Sequence, residues 1–126
     1  HECKINKKKS LELWGNGKTK RELIYVDDLA DAIVYFLDKK LSRNLINIGS
    51  GIEKTIDQYA KIACQIIGVK LKIKYKNKLL TGTPRKLLDS SYALKNGWKS
   101  KIDLKSSILK TYKHFLKETN FQESKK

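Results

Sequence analysis

Apolar residues recur along this chain with two periods. Leu29, Ala32, Ile33, Phe36 and Leu37 fall at i, i+3, i+4, i+7 and i+8, which predicts a helix over 28–39 with one apolar face. Asp27 or Asp28 is the expected cap, and Lys39-Lys40 suits the negative end of the helix dipole. Ile56, Tyr59, Ala60, Ala63 and Ile67 repeat the pattern over 55–67, with Thr55 as cap and Gly68 as terminator. Leu104, Ile108, Leu109, Tyr112, Phe115 and Leu116 predict a third helix over 103–117, capped by Asp103 and followed by a polar tail at 119–126. A short helix is expected near 90–95, opened by Lys86-Leu87-Leu88-Asp89 and stopped at Asn96-Gly97. His1 to Lys4 reads as the frayed end of another helix.

The second period is two. Val69, Leu71, Ile73 and Tyr75 alternate with Lys70, Lys72, Lys74 and Lys76, the pattern of a strand with one wet face. Lysines there would also guard an exposed edge against pairing with other chains. Leu11 to Trp14 alternates more briefly and runs into the turn chemistry of Gly15-Asn16-Gly17. Glu22 to Val26 is expected to be extended, and Asn44 to Ile48 to be a buried strand closed by Gly49-Ser50-Gly51. Strands alternating with helices make this an α/β chain, with no internal repeat and no interdomain linker.

Length and charge narrow the picture. At 126 residues the chain fits one domain and is too short for a complete two-domain enzyme. An apolar content of 40% excludes an outright disordered chain, and no apolar run approaches the roughly 18 residues of a membrane span. Cys3 and Cys64 have no CxxC partner and read as free thiols, Cys64 in the core; a reducing, cytoplasmic setting is expected. There is no Met and the chain starts at His1, which is the expectation for a piece of a longer protein. The 28 basic and 13 acidic residues give a formal charge of +15. Residues 64–126 carry 16 of the basic groups and 4 of the acidic ones, so the excess is concentrated there. Two readings are open, a polyanion-binding module and a surface biased toward Lys. The same bias makes Arg21, Arg43 and Arg85 informative, because a retained Arg marks a place where planar paired donors are useful.

The chemistry-bearing residues are few. His1 and His114 stand at a terminus and on a polar helix face, and no His/Cys/Asp cluster supports zinc. Gly49-Ser50-Gly51 matches neither a phosphate loop nor the GxGxxG fingerprint. Trp14-Gly15-Asn16-Gly17, followed by Arg21-Glu22, could hold a sugar or base against an aromatic wall while a guanidinium meets phosphate. The alternatives are a core Trp above a hairpin and an Arg21 ion pair with Glu22 or Asp28. Gly82 to Asp89 sets a rigid turn before two adjacent cations, again suited to an anion.

These two segments carry a resemblance. WGNGKTKRELIYVDDLADA, Trp14 to Ala32, resembles the extended short-chain dehydrogenase pattern shared by many nucleotide-sugar epimerases and dehydratases. GTPRKLLD, Gly82 to Asp89, with Asn96-Gly97-Trp98 beyond it, is similar to the GDP-L-fucose synthase branch in particular. The resemblance runs from His1 to about Leu116. It implies the C-terminal, substrate-binding portion of such an enzyme over 1–118, with the Rossmann cofactor domain largely missing and 26–49 packing against it. The implied reaction is NADPH-dependent conversion of GDP-4-keto-6-deoxy-D-mannose to GDP-L-fucose by epimerisation and reduction. NADP(H), the glycine fingerprint and every proton-transfer group would belong upstream of His1, so no catalytic residue and no activity are expected in this chain alone. Trp14 and Arg21 match positions that contact the GDP-sugar, and Arg85 and Lys86 match cations near the diphosphate. Thr81 stands where the branch has a substrate-contacting Asp; Thr19, Leu23 and Tyr25 replace its Pro, Phe and His. A homodimeric parent enzyme, a GDP-sugar ligand and neither membrane nor specific nucleic-acid partners are implied. The rivals are another nucleotide-sugar epimerase or dehydratase and, from a different class, the basic nucleic-acid-binding module.

Overall fold

The computed structural model describes residues 1–77 and 82–123, with side chains through Glu118. In chain order the elements are α1 (Glu2–Ile5), β1 (Ser10–Trp14), β2 (Lys20–Glu22), α2 (Val26–Leu37), β3 (Glu53–Thr55), α3 (Ile56–Ile67), β4 (Lys72–Lys76), β5 (Arg85–Lys86), α4 (Ser91–Lys95) and α5 (Leu104–Glu123). They form two small sheets. β1 and β4 run parallel, from Ser10 opposite Lys72 to Trp14 opposite Lys76. β2 is the centre of the other sheet, antiparallel to β3 and parallel to β5.

Local signals explain the best-defined elements. The Thr55 hydroxyl accepts from the Gln58 amide at 3.2 Å while the Gln58 side chain accepts from the Thr55 amide at 2.9 Å, a reciprocal cap that fixes where α3 starts. Gly68 ends that helix with φ 75°, a left-handed conformation that a side chain would resist. Asp103 accepts from the amides of Lys105 and Ser106, so its expected cap of α5 is present. α5 continues through Glu123, beyond the expected stop at 117, because neither Gly nor Pro interrupts it. In β4 the inward Ile73 and Tyr75 are half-buried and Lys72, Lys74 and Lys76 are exposed, as alternation requires. Cys3 and Cys64 are free and half-buried, and burial pushes the Cys64 thiol up.

Other expectations are corrected. Neither Asp27 nor Asp28 caps α2. The helix starts at Val26, and Asp28, buried in its first turn, accepts instead from the backbone amides of Lys101 at 3.1 Å and Ile102 at 3.0 Å. A distant loop needed an acceptor more than the helix end did. Asn44 to Ile48 joins no ladder among the described residues; Ile46 and Ile48 pack on the core from irregular backbone. The extended segment after Arg21 pairs only through Glu22, and Lys86 belongs to β5, so the short helix begins at Ser91.

Among the described residues the buried apolar centre consists of Ala32, Ala93 and Trp98. It is the joint between α2 and α4. The Trp98 indole donates to Asp31 at 3.0 Å, and Tyr35 donates to the Asn96 carbonyl at 3.0 Å. A Cβ at Gly97 would lie 2.6 Å from the Tyr35 hydroxyl, so that close approach requires glycine. The rest of the α2 stripe behaves differently. Ile33 is 61% exposed and Leu37 75%, and Val26, Leu29 and Val34 are exposed beside them. A cleft of about 700 Å³ between α5 and the β2–α2 connection continues this apolar surface through Leu23, Val26, Ile52 and Phe115.

Asp28→Ala should lower the unfolding free energy by about 2–3 kcal/mol, since two amides lose a charged acceptor. Asp27→Ala should change it by less than about 0.5 kcal/mol; urea denaturation of both variants separates the tertiary clamp from a helix-end charge. The Lys101 ammonium and the Trp98 indole hold Asp31 below its ordinary value, and the Ser106 hydroxyl does the same for Asp103. Groups depressed in the folded state stabilise it fully above their unfolded values and lose that contribution as pH falls through the folded ones. Stability measured by thermal melts should therefore fall below about pH 4, and the fall should be shallower in Asp31→Asn.

Candidate functional site

β2 carries the residues that matter, and its neighbours decide which side they face. Residues opposite one another in a ladder point to the same side of a sheet. Arg21 stands opposite Lys54 on β3 and opposite Lys86 on β5, so one face presents a row of three cations. Lys20 and Arg85 share the other face, where both reach Glu53, at 3.1 Å and 2.7 Å. These contacts hold the Glu53 carboxyl below its ordinary value, Arg85 contributing most. Among the described residues no carboxylate lies within ion-pair distance of Arg21, Lys54 or Lys86. Like charges placed opposite each other in a ladder repel, and an anion laid across the row would relieve that repulsion.

Arg21 is held in place from its backbone and its side chain. Its carbonyl accepts from the Tyr59 hydroxyl at 2.9 Å, and Nη1 donates to the Lys20 carbonyl at 2.6 Å and the Thr83 carbonyl at 2.9 Å. Burial pushes the Tyr59 phenol up, so it remains a donor. The alternative ion pair with Glu22 or Asp28 is not formed. Both carboxylates are turned to backbone amides, Glu22 to Gly51 and Leu88, and Asp28 to Lys101 and Ile102.

Trp14 ends β1 and is 69% exposed, so it is no core residue, and the strand after its turn joins the other sheet rather than a hairpin. The turn itself is rigidly held. Gly15 donates to the Lys76 carbonyl at 2.9 Å, and the Gly17 carbonyl accepts from Asp57 at 3.1 Å. A Cβ at Gly17 would come within 2.4 Å of the Tyr75 ring, whose hydroxyl donates to the Asp57 carboxylate. The Lys61 ammonium, with the Tyr75 hydroxyl, holds Asp57 below its ordinary value.

The structure thus brings Arg21 and Lys86 together, turns Arg85 to the opposite face, and leaves Trp14 exposed at the end of the neighbouring sheet. Thr81 lies outside the described residues. Lys54 was not legible as a candidate, because only the β2–β3 register puts it beside Arg21. Among the described residues no group of His, Cys, Asp and Glu could hold a metal, and no helix is long and apolar enough to cross a membrane.

Known proteins share this arrangement of chain. Residues 3–49 match the NAD dependent epimerase/dehydratase family. A putative GDP-L-fucose synthase 2 of Arabidopsis thaliana is 40% identical over 92% of this chain and 35% of its own length. A GDP-L-colitose synthase of Yersinia pseudotuberculosis is also 40% identical, over 90% of this chain and 37% of its own. Among solved structures, a GDP-D-glycero-L-gluco-heptose synthase of Campylobacter jejuni, crystallised in the presence of NADPH, superposes with a TM-score of 0.73 at 36% identity. That match covers 86% of this chain and 33% of the enzyme. The chain spans about a third of the length of the curated relatives it matches. With its mixed α/β fold, the chain is similar to about a third of such enzymes, and residues 3–49 are the part that matches the NAD dependent epimerase/dehydratase family.

Proposed function

We propose that this chain is the GDP-sugar-binding portion of an NADPH-dependent enzyme that converts GDP-4-keto-6-deoxy-D-mannose to GDP-L-fucose by epimerisation and reduction. The observation that carries the reading is the row Lys54–Arg21–Lys86, three cations on one sheet face without a carboxylate partner among the described residues. A diphosphate spread across adjacent strands meets that charge. The Arg21 guanidinium offers a planar pair of donors and Lys86 a mobile point charge. Trp14 offers an exposed aromatic surface for the nucleoside or sugar. Arg85, already paired with Glu53, keeps the sheet together in this reading, and Thr81 is the remaining polar contact proposed for the substrate.

The Gly51 amide of the Gly49-Ser50-Gly51 loop already donates to the Glu22 carboxylate, the place that a phosphate oxygen would take. In this reading NADP(H) and the groups that move protons are held outside these residues. The exposed face of α2, from Val26 to Leu37, with the segment to Gly49, is the surface on which the cofactor-binding part would pack. Exposed apolar residues at successive turns of one helix are the signature of a missing partner surface. A second reading keeps the site and changes the sugar. The colitose synthase is as similar to this chain as the fucose synthase, so the GDP moiety is better supported than the hexose.

In calorimetric titrations with GDP-mannose, Arg21→Lys should weaken binding by about 1.5–3 kcal/mol, the range for a hydrogen bond to a charged group, with thermal stability nearly unchanged. Loss of stability without loss of affinity in the folded fraction would make Arg21 structural. The α2 surface has its own test. Ile33→Lys with Leu37→Lys should lower binding of a hydrophobic dye and reduce self-association on gel filtration, with no fall in Tm. A fall in Tm of the size expected for a core truncation would place these residues in this chain's own core instead.

A further inference from the structure

Glu22 follows Arg21 in the chain, and alternation turns its carboxylate to the opposite face of the sheet. There it is the meeting point of two loops. One carboxylate oxygen accepts from the Gly51 amide at 2.6 Å and from the Ser50 hydroxyl at 3.4 Å. The other accepts from the Leu88 amide at 3.1 Å. Gly51 lies two residues before β3, the strand that carries Lys54, and Leu88 lies two residues after Lys86 on β5. A single carboxylate therefore ties both neighbours of β2 to β2 itself. β5 is only two residues long and shares few ladder bonds, so its register needs such an outside restraint.

The glycine before the loop is part of the device. A Cβ at Gly49 would fall 2.5 Å from the Glu22 oxygen and 2.8 Å from its carboxyl carbon. Gly49 is buried, so nothing larger than glycine admits the carboxylate there.

We infer that Glu22 is a positioning residue for anion binding: by clamping the Gly49–Gly51 loop and the Leu88 amide, it sets the register that aligns Lys54, Arg21 and Lys86. It touches no ligand and acts through the cations. The inference rests on the reading of that row as a diphosphate site.

Two variants test it by different routes. Glu22→Gln keeps the shape and replaces one of the two acceptor oxygens by an NH2 that cannot accept, so one of the two backbone N–H groups loses its partner. Gly49→Ala keeps every charge and displaces the flexible carboxylate end sterically. Amide hydrogen exchange by NMR and titration with GDP are read on the same samples of the 126-residue chain. The expected result is faster exchange at Gly51 or Leu88 in Glu22→Gln and at both in Gly49→Ala, with a roughly tenfold weaker GDP affinity in each and exchange inside α3 unchanged. Released amides with wild-type GDP affinity would overturn the positioning role while leaving the site reading intact. Faster exchange throughout α3 would reduce the effect to general destabilisation and overturn it too. A wild-type chain that binds no GDP would overturn the site reading, and this inference with it.

Discussion

Three residues of β2 hold the basic site together. Lys20, Arg21 and Glu22 satisfy ladders on both sides, antiparallel to Glu53–Thr55 and parallel to Arg85–Lys86. So short a sheet has little cooperative strength of its own, because strands of two or three residues contribute few ladder bonds. What fixes it is side-chain chemistry on one face. Glu53 binds Lys20 and Arg85, while Glu22 binds the backbone of the flanking loops. With that face neutralised, the opposite face is left with like charges side by side.

Separating charge by face gives meaning to a basic composition that is otherwise uninformative. Most lysines of this chain are solvated, as on β4, and exposed ion pairs such as Lys76 with Glu12 at 3.4 Å contribute little. The row on β2, β3 and β5 differs because the ladder holds its charges in register rather than letting them diffuse apart. Lys8 with Glu2 and Lys101 with Asp31 show the usual local solution elsewhere on the surface, a nearby carboxylate.

The core has a similar division. On one side of α2, Asp28 accepts from the Lys101 and Ile102 amides, Asp31 accepts from the Trp98 indole, Tyr35 donates to the Asn96 carbonyl, and Ala32 packs in the core between them. On the other side Ile33, Val34 and Leu37 face solvent. One helix thus belongs to two environments. The mean apolar content of its stripe does not distinguish them, since both sides carry large aliphatic residues.

Local signals alone were enough for α3, where Thr55 with Gln58 at one end and Gly68 at the other each act on backbone a few residues away, and for the alternation of β4. The Arg21 segment was likewise legible as a site candidate, because a rare guanidinium beside a glycine turn is a local fact. Long-range hydrogen bonding decided the rest. Asp28 looked like a cap and became a clamp for residues 101–102, since a buried acceptor reaching two backbone amides outweighs a partly solvated helix end. Gly49-Ser50-Gly51 looked like the end of a strand and is a cradle for Glu22, 27 or more positions away in sequence. Asn44 to Ile48 had the residues of a strand and no ladder partner among those described, and a strand exists only through its partner. By itself the sequence determined which segments are helical, where α3 and α5 begin, and that Arg21 stands out chemically. Only the tertiary structure decided that Lys54 and Lys86 flank Arg21 while Arg85 turns away, because register is a relation between strands and no single strand encodes it.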